Sequence, residues 1–273
     1  MTVIALASLS GAPGVTTTAA AWAVHSAHPT LIIEAATAGG SPMLAGLWAG
    51  TRAHDTSVLA LAAHLGEPLE QYLWSQAVAL PGQSDRWVLP AIAWPAQARS
   101  VEPVWRPLAA ALRAISDDGG IDVLIDMGRI TAATARDRVW TLADTADVLI
   151  VVVDGAIAAL NTAIIVTPEL RDLLATTGTK ERLAILPRLT GLTRDREGLR
   201  PYGHAEIASH FGGTKVLDPL IHDPRRAAVY AGGAMKRVGH DRSTYVHSIE
   251  RLSRQAREHA NACRSLIETR EEI

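Results

Sequence analysis

Short apolar runs recur along the chain, each separated from the next by a segment of helical length. The runs Val3–Ala7, Thr30–Ile33, Trp87–Ile92, Asp122–Ile125, Val148–Val153, Leu183–Leu186 and Lys215–Leu217 read as strands. Their apolarity is continuous rather than alternating, which is the pattern of strands buried on both faces of a parallel sheet. Between them, Thr16–His28, Thr56–Leu65, Val104–Ile115, Ala156–Ala175 and His204–His210 read as helices. This alternation predicts a doubly wound α/β fold, a mostly parallel sheet flanked by helices. Asp117-Asp118-Gly119-Gly120 marks a turn before the central strand, and Thr190 to Tyr202 is a polar loop. From Ser243 to the end, Val246, Ile249, Leu252, Ala256, Ala260, Cys263 and Ile267 repeat every three or four positions, one apolar stripe on a long helix. The expected division is a main domain over 1–242 and an amphipathic helix over 243–273, packed on that domain or on a partner.

Composition narrows this picture. A chain of 273 residues, 48% hydrophobic, is long enough for one large α/β domain or two small ones. The net charge of −2 divides unevenly: residues from Arg188 onward carry +4 and those before it −6. A basic face toward DNA or acidic lipid is one reading of this, and a solvated mixed-charge surface is the simpler one. A single cysteine, Cys263, excludes an internal disulfide and fits a reducing compartment. No basic segment precedes the first apolar run, so no signal peptide is expected. The most apolar stretch, Val148 to Val166, is broken by Asp154 and Asn161 and reads as strand then helix, not a membrane span. The seven tryptophans all precede residue 141 and are expected in core and interface packing.

The candidate chemistry sits after the first strand. Ser10-Gly11-Ala12-Pro13-Gly14-Val15-Thr16-Thr17-Thr18 has the outline of a phosphate-binding loop, in the strand, glycine loop, helix order such a loop needs. A working loop places a lysine after its last glycine, to reach the β and γ phosphates. Here that position is Val15, and the first lysine of the chain is Lys180. Arginine does not replace that lysine without penalty, and Val15 is not basic in any case. The backbone N–H groups of Gly11 to Gly14 and the following helix start still suit an anion. Thr16 stands where such a loop ligates Mg²⁺, although a threonine there also serves as a helix cap. Ile121 to Asp126 is an apolar strand ending in a carboxylate, the Walker B pattern, in which Asp126 holds Mg²⁺ or its water.

The order of these motifs resembles the ParA/MinD family of SIMIBI-class P-loop ATPases. Onto the family's Lys-Gly-Gly-x-Gly-Lys-Thr-Thr loop, Ser10 falls at the signature lysine and Val15 at the Walker lysine. Gly11, Gly14, Thr16 and Thr17 match. The second family motif, Asp-x-Asp-Pro-x-Gly, falls on Glu34 to Gly39, so the water-positioning aspartate is Ala36. Leu217 to Arg225 looks like the family's late strand and Pro-x-Asp loop near the base, which assigns Asp223 and Pro224 to nucleotide contact. The family's adenine-reading asparagine is replaced by Pro187-Arg188. The chain is also similar to actinobacterial ParA-like proteins with a Gly-Ala-Pro-Gly-Val-Thr-Thr loop and a Pro-Tyr element, here Pro201-Tyr202, and to TadZ/CpaE proteins of Tad pilus systems. The resemblance spans most of residues 1 to 230.

The resemblance implies a degenerate nucleotide site. Gly11, Ala12, Pro13, Gly14, Val15, Thr16, Thr17, Asp223 and Pro224 would line it, with Thr16 and Asp126 at the metal. It implies Mg–ATP or Mg–ADP held weakly or not at all, and a pseudo-ATPase that positions or regulates a secretion, pilus or partition apparatus. A homodimer, a protein partner, and a cytoplasmic location with recruitment to the membrane or cell pole go with this reading. One alternative is a slow, partner-dependent ATPase with a cation such as Arg129 rewired into the site. Another is a non-specific DNA-binding partition factor using the arginine-rich C-terminal half. The C-terminal stripe offers peripheral membrane contact as a further option, but it lacks Trp and Phe, and Glu268, Glu271 and Glu272 end it.

Overall fold

The computed structural model describes residues 1–11, 14–131, 137–178, 180–190 and 202–271. Nine strands form one sheet: β1 Val3–Ser8, β2 Thr30–Glu34, β3 Val78–Ala79, β4 Arg86–Leu89, β5 Asp122–Arg129, β6 Val148–Asp154, β7 Leu183–Thr190, β8 Lys215–Val216 and β9 Leu220–His222. The order is β3-β4-β2-β5-β1-β6-β7-β8, with β9 beside β8 on the outer edge of β7. Every pairing is parallel except β3 with β4. The helices are α1 Val15–His25, α2 Pro42–Leu47, α3 Leu69–Gln76, α4 Ala98–Val101, α5 Trp105–Gly119, α6 Trp140–Thr145, α7 Ile157–Thr177, α8 His204–Ser209, α9 Pro224–Ala231 and α10 Thr244–Glu271. The doubly wound parallel architecture expected from the sequence is therefore present.

Residues alternate between the two faces of each strand. In β1, Val3, Ala5 and Ala7 enter one core layer with Trp105, Leu108 and Leu112 of α5. Ile4 and Leu6 enter the other, with Trp22 of α1 and Val246, Ile249 and Leu252 of α10. Both layers are apolar, which is why the strands read as unbroken hydrophobic runs. The α10 stripe from Tyr245 to Cys263 is buried against this second layer. Among the described residues, no helix is long and apolar enough to cross a membrane.

Several elements differ from the sequence expectation. Thr56–Leu65 is a 3-10 helix over Val58–His64. The first helix stops at His25 rather than His28, because Ser26 is extended and Pro29 follows shortly. β5 does not end at its carboxylate but continues through Met127, Gly128 and Arg129. β1 keeps pace with it through a register irregularity between Leu6 and Ser8.

Arg257 and Arg264 of α10 are tied to the edge where the strands begin. Arg257 lies 3.2 Å from Asp122, and Arg264 places Nε 2.7 Å and Nη2 2.6 Å from the Asp147 carboxylate. Asp147 also accepts the Val3 amide at 2.8 Å and Arg113 at 3.0 Å. Burial alone would raise the Asp147 carboxyl, but its arginine partners and the amide hold it below the usual carboxylate range. Asp147→Ala should destabilise the protein by about 3 kcal/mol, since two guanidinium groups and an amide lose their acceptor. Urea unfolding should show the difference above pH ~4, the ordinary carboxylate range, and its loss as pH falls through the depressed native value.

Candidate functional site

Parallel strands deliver their carboxyl ends to one edge of the sheet, and β1 has its neighbours β5 and β6 on either side. A crevice at such a switch point is where open α/β sheets take ligands. The connection from β1 to α1 lies there. Gly11 and Gly14 have φ of +60° and +88°, a left-handed conformation that L side chains disfavour. Gly14 is the N-cap of α1 and supplies no side chain to its free amides. The first turn is thus left with donors and a positive dipole end directed at the loop. Ala12 and Pro13 lie outside the described residues.

Val15 is the first residue of α1 and is 5% exposed, packed in the layer that holds Leu6 and Trp22. Thr16 and Thr17 follow, half-buried, inside the helix. Thr16 therefore does not cap α1. Its hydroxyl hydrogen-bonds Asp126. The carboxylate, 2% exposed, also accepts the Gly128 amide at 2.9 Å. Burial raises the Asp126 carboxyl, and these two hydrogen bonds hold it back.

Strand alternation places a row of charged groups in one layer on the α1 face. Asp126 shares the face of Leu124, and Glu34 is its register partner on β2. On the other side of β1, Asp154 and Arg188 are register partners on β6 and β7. Glu34 is buried; it accepts hydrogen bonds from the Ser41 hydroxyl and from the Met43 amide at 3.1 Å. Burial pushes its carboxyl up to about 7, reinforced by the Asp126 charge and opposed by those two hydrogen bonds. Ser41 holds this position because it also caps α2, accepting the Leu44 amide at 3.0 Å.

Arg188 pairs with Asp154 and contacts His222 Nδ1 at 3.1 Å. Burial would raise Asp154, but Arg188 and the Ala156 amide hold it low. Burial, with the Arg188 charge, lowers His222. Asp223 follows β9 and caps α9, accepting the Arg225 and Arg226 amides at 3.1 Å each; Pro224 is the first residue of that helix. Asp223 and Pro224 thus belong to the same carboxyl edge as the glycine loop, three strands across from β1.

Of the positions singled out in the sequence, Gly11, Gly14, Thr16 and Asp126 lie together. Ser10 is half-buried in the loop, and Ala36 is half-buried beside Gly128. Arg129 is exposed at the end of β5, in register with Ser8. Pro201 lies outside the described residues, and Tyr202 lines an apolar groove of about 320 Å³ between α7 and α8. The Glu34–Ser41–Met43 contact and the Arg188–Asp154–His222 cluster were not anticipated. A trace of the second was legible, since Asp154 and Arg188 each stand immediately after or near the end of an apolar run.

A hydroxyl beside buried carboxylates is a hard oxygen donor set, the kind magnesium takes. The Thr16 and Asp126 pair therefore fits that ion, with Glu34 close behind. The lysines lie away from the loop. Lys180 precedes β7 and Lys215 opens β8, both at the edge where strands begin. Lys236 contacts Asp241 beside His25, at the end of α1 remote from the loop.

No protein-family model matches the sequence, and a search of curated proteins finds no match. Solved structures do match. The MinC:MinD cell division protein complex of Aquifex aeolicus aligns with a TM-score of 0.70 at 16% identity, covering 93% of this chain and 95% of the other. The septum site-determining protein MinD of Pyrococcus horikoshii, complexed with Mg-ADP, aligns with a TM-score of 0.66 at 17% identity, covering 93% and 95%. A ParA family ATPase of Chlorobium tepidum aligns with a TM-score of 0.66 at 12% identity, covering 92% and 98%. The chain has the fold of the MinD and ParA ATPases.

Proposed function

We propose that this protein is a pseudo-ATPase of ParA/MinD type that positions, scaffolds or regulates a secretion, pilus or partition apparatus. The observation that carries the reading is Val15, a buried core residue where the loop needs a cation, with the described lysines at the far edge of the sheet. Ser10 and Ala36 replace the other two charged positions of the family motifs. The amides of Gly11 to Gly14 and the start of α1 are the proposed phosphate cradle, with Ala12, Pro13, Val15 and Thr17 completing the loop. Thr16 and Asp126 are the proposed magnesium ligands, and Asp223 and Pro224 the proposed contacts near a base. With the cation gone, this site favours weak binding of Mg–ATP or Mg–ADP, or none. Dimerisation, a protein partner, and recruitment from the cytoplasm to the membrane or a cell pole belong to the same proposal, by likeness to MinD with its partner MinC.

Calorimetric titration with Mg–ATP and Mg–ADP tests it. Binding in the millimolar range or undetectable heat is the expected result; micromolar ATP binding would overturn the reading. The DNA-binding alternative has less in its favour, because Arg251, Arg257 and Arg264 pair with Asp218, Asp122 and Asp147. Retention of random duplex DNA at low salt, falling steeply as salt rises, would revive it.

A further inference from the structure

We propose that His25, His240 and Asp241 form a binding site for a zinc-class divalent cation, at the opposite end of α1 from the phosphate loop. α1 is 11 residues long, so His25 in its last turn stands about 16 Å from Gly14. His240 and Asp241 come from the connection between α9 and α10. One ligand atom from each residue lies within 4.8 Å of the others, and His25 Nε2 is 3.9 Å from Asp241 Oδ1. Two imidazoles and a carboxylate are a donor set that zinc uses in three-ligand sites, with a fourth position for water. Imidazole nitrogen disfavours calcium and magnesium by comparison.

Hydrogen bonding holds the two imidazoles together. The Tyr230 hydroxyl lies 2.5 Å from His25 Nε2 and 2.7 Å from His240 Nε2. It can donate to one ring and accept an N–H from the other, which gathers both Nε2 atoms on one oxygen. His240 is buried, and its Nδ1 has no hydrogen-bond partner. With Nε2 on Tyr230, Nδ1 is the His240 nitrogen whose lone pair is free for a cation. The ring planes of His25 and His240 are 26° apart, with centroids separated by 6.4 Å.

The spacing is close to what an ion requires. Zinc bonds of about 2.0–2.2 Å set tetrahedral ligand atoms about 3.3 Å apart. The side chain of Asp241 is exposed and is held by Lys236 at 3.2 Å, so turning it inward closes the remaining gap. In that movement the divalent ion takes over from the ammonium as the counter-charge. His25 also lines an open cleft of about 530 Å³ between the end of α1 and α10, so solvent reaches the site.

The test is zinc chloride titrated into tag-free, chelator-dialysed full-length protein, read by calorimetry against a chromophoric competitor. One equivalent is expected, with affinity reduced at least tenfold in Asp241→Asn and in His25→Ala. Asp241 is exposed, so the first variant does not depend on refolding of the core. Cys263 and His259, 3.8 Å apart on α10, are the control, and Cys263→Ser should bind as the parent does. Absence of stoichiometric zinc, undiminished affinity in Asp241→Asn, or loss of binding in Cys263→Ser would each overturn the proposal.

Discussion

In Mg–ATP, the purified protein is expected to release phosphate no faster than its Asp126→Ala variant. Phosphoryl transfer leaves little covalent work to the protein, and catalysis rests on charge placed at the transferring group. Removing one such stabilising donor costs roughly 10²–10³ in rate, and a supplied cation is worth roughly 10³–10⁵. Here the loop position is Val15, packed against the sheet, and on the proposed likeness Ala36 stands where the family motif has its water-positioning aspartate. A Cβ added to Gly128 would come 3.1 Å from Ala36 Cβ, so the chain is close-packed around Ala36. Arg129 is the exposed cation in register with Ser8 at the loop edge. A parent rate tenfold above that of Asp126→Ala, and lost in Arg129→Ala, would establish the slow-ATPase reading instead. A continuous phosphate-release assay on the three proteins separates these outcomes.

Glu34→Gln should stabilise the protein by about 3 kcal/mol at pH 8 and leave it nearly unchanged at pH 4. The sign follows from the buried carboxyl, whose native value is raised from 4.5 to about 7. An acid raised on folding favours the native state while both states are protonated, at low pH. That contribution is lost as pH climbs from the unfolded value to the native one, and is constant above it. Glutamine cannot ionise. Its carbonyl can keep the Met43 amide, and its NH₂ can donate to the Ser41 oxygen; the Ser41 hydroxyl hydrogen and the Ala91 amide, at 3.4 Å, lose their acceptor. Urea unfolding of parent and variant across this range should give curves that diverge between pH 4.5 and 7. Parallel curves would mean that Glu34 titrates as an ordinary surface acid.

The sheet was largely legible because a parallel strand buried on both faces leaves an uninterrupted apolar run. Val148–Val153 is that case, and the strand adds only Asp154. Two- and three-residue strands such as β3 and β9 leave no such trace. Asp126 was legible as a carboxylate after an apolar run, but its setting was not. The strand continues past it because Gly128, with φ of +61°, lets the chain turn back to bond its carboxylate. Thr16 read equally as cap or ligand, and only the helix start at Val15, with Gly14 as cap, directs it to Asp126. Glu34 was legible by position alone. Its partners Ser41 and Met43 come from a cap seven and nine residues on, and no local periodicity encodes that return. The His25–Tyr230–His240 cluster joins residues more than two hundred positions apart and had no sequence signal.

The pairing of α10 with the starting edge of the sheet has a consequence for the order of folding. Asp122 and Asp147 hold the Thr2 and Val3 amides of the first strand, and their charges are met by Arg257 and Arg264 of the last helix. Until that helix is available, the buried Asp122 carboxylate lacks Arg257, Asp147 has Arg113 alone, and one sheet face lacks part of its cover. A nascent chain emerging from the ribosome thus builds strands that it cannot yet consolidate. Contacts of such long sequence separation make assembly slow and leave partly formed sheets exposed to aggregation. Completion of this domain therefore waits for α10 to be made.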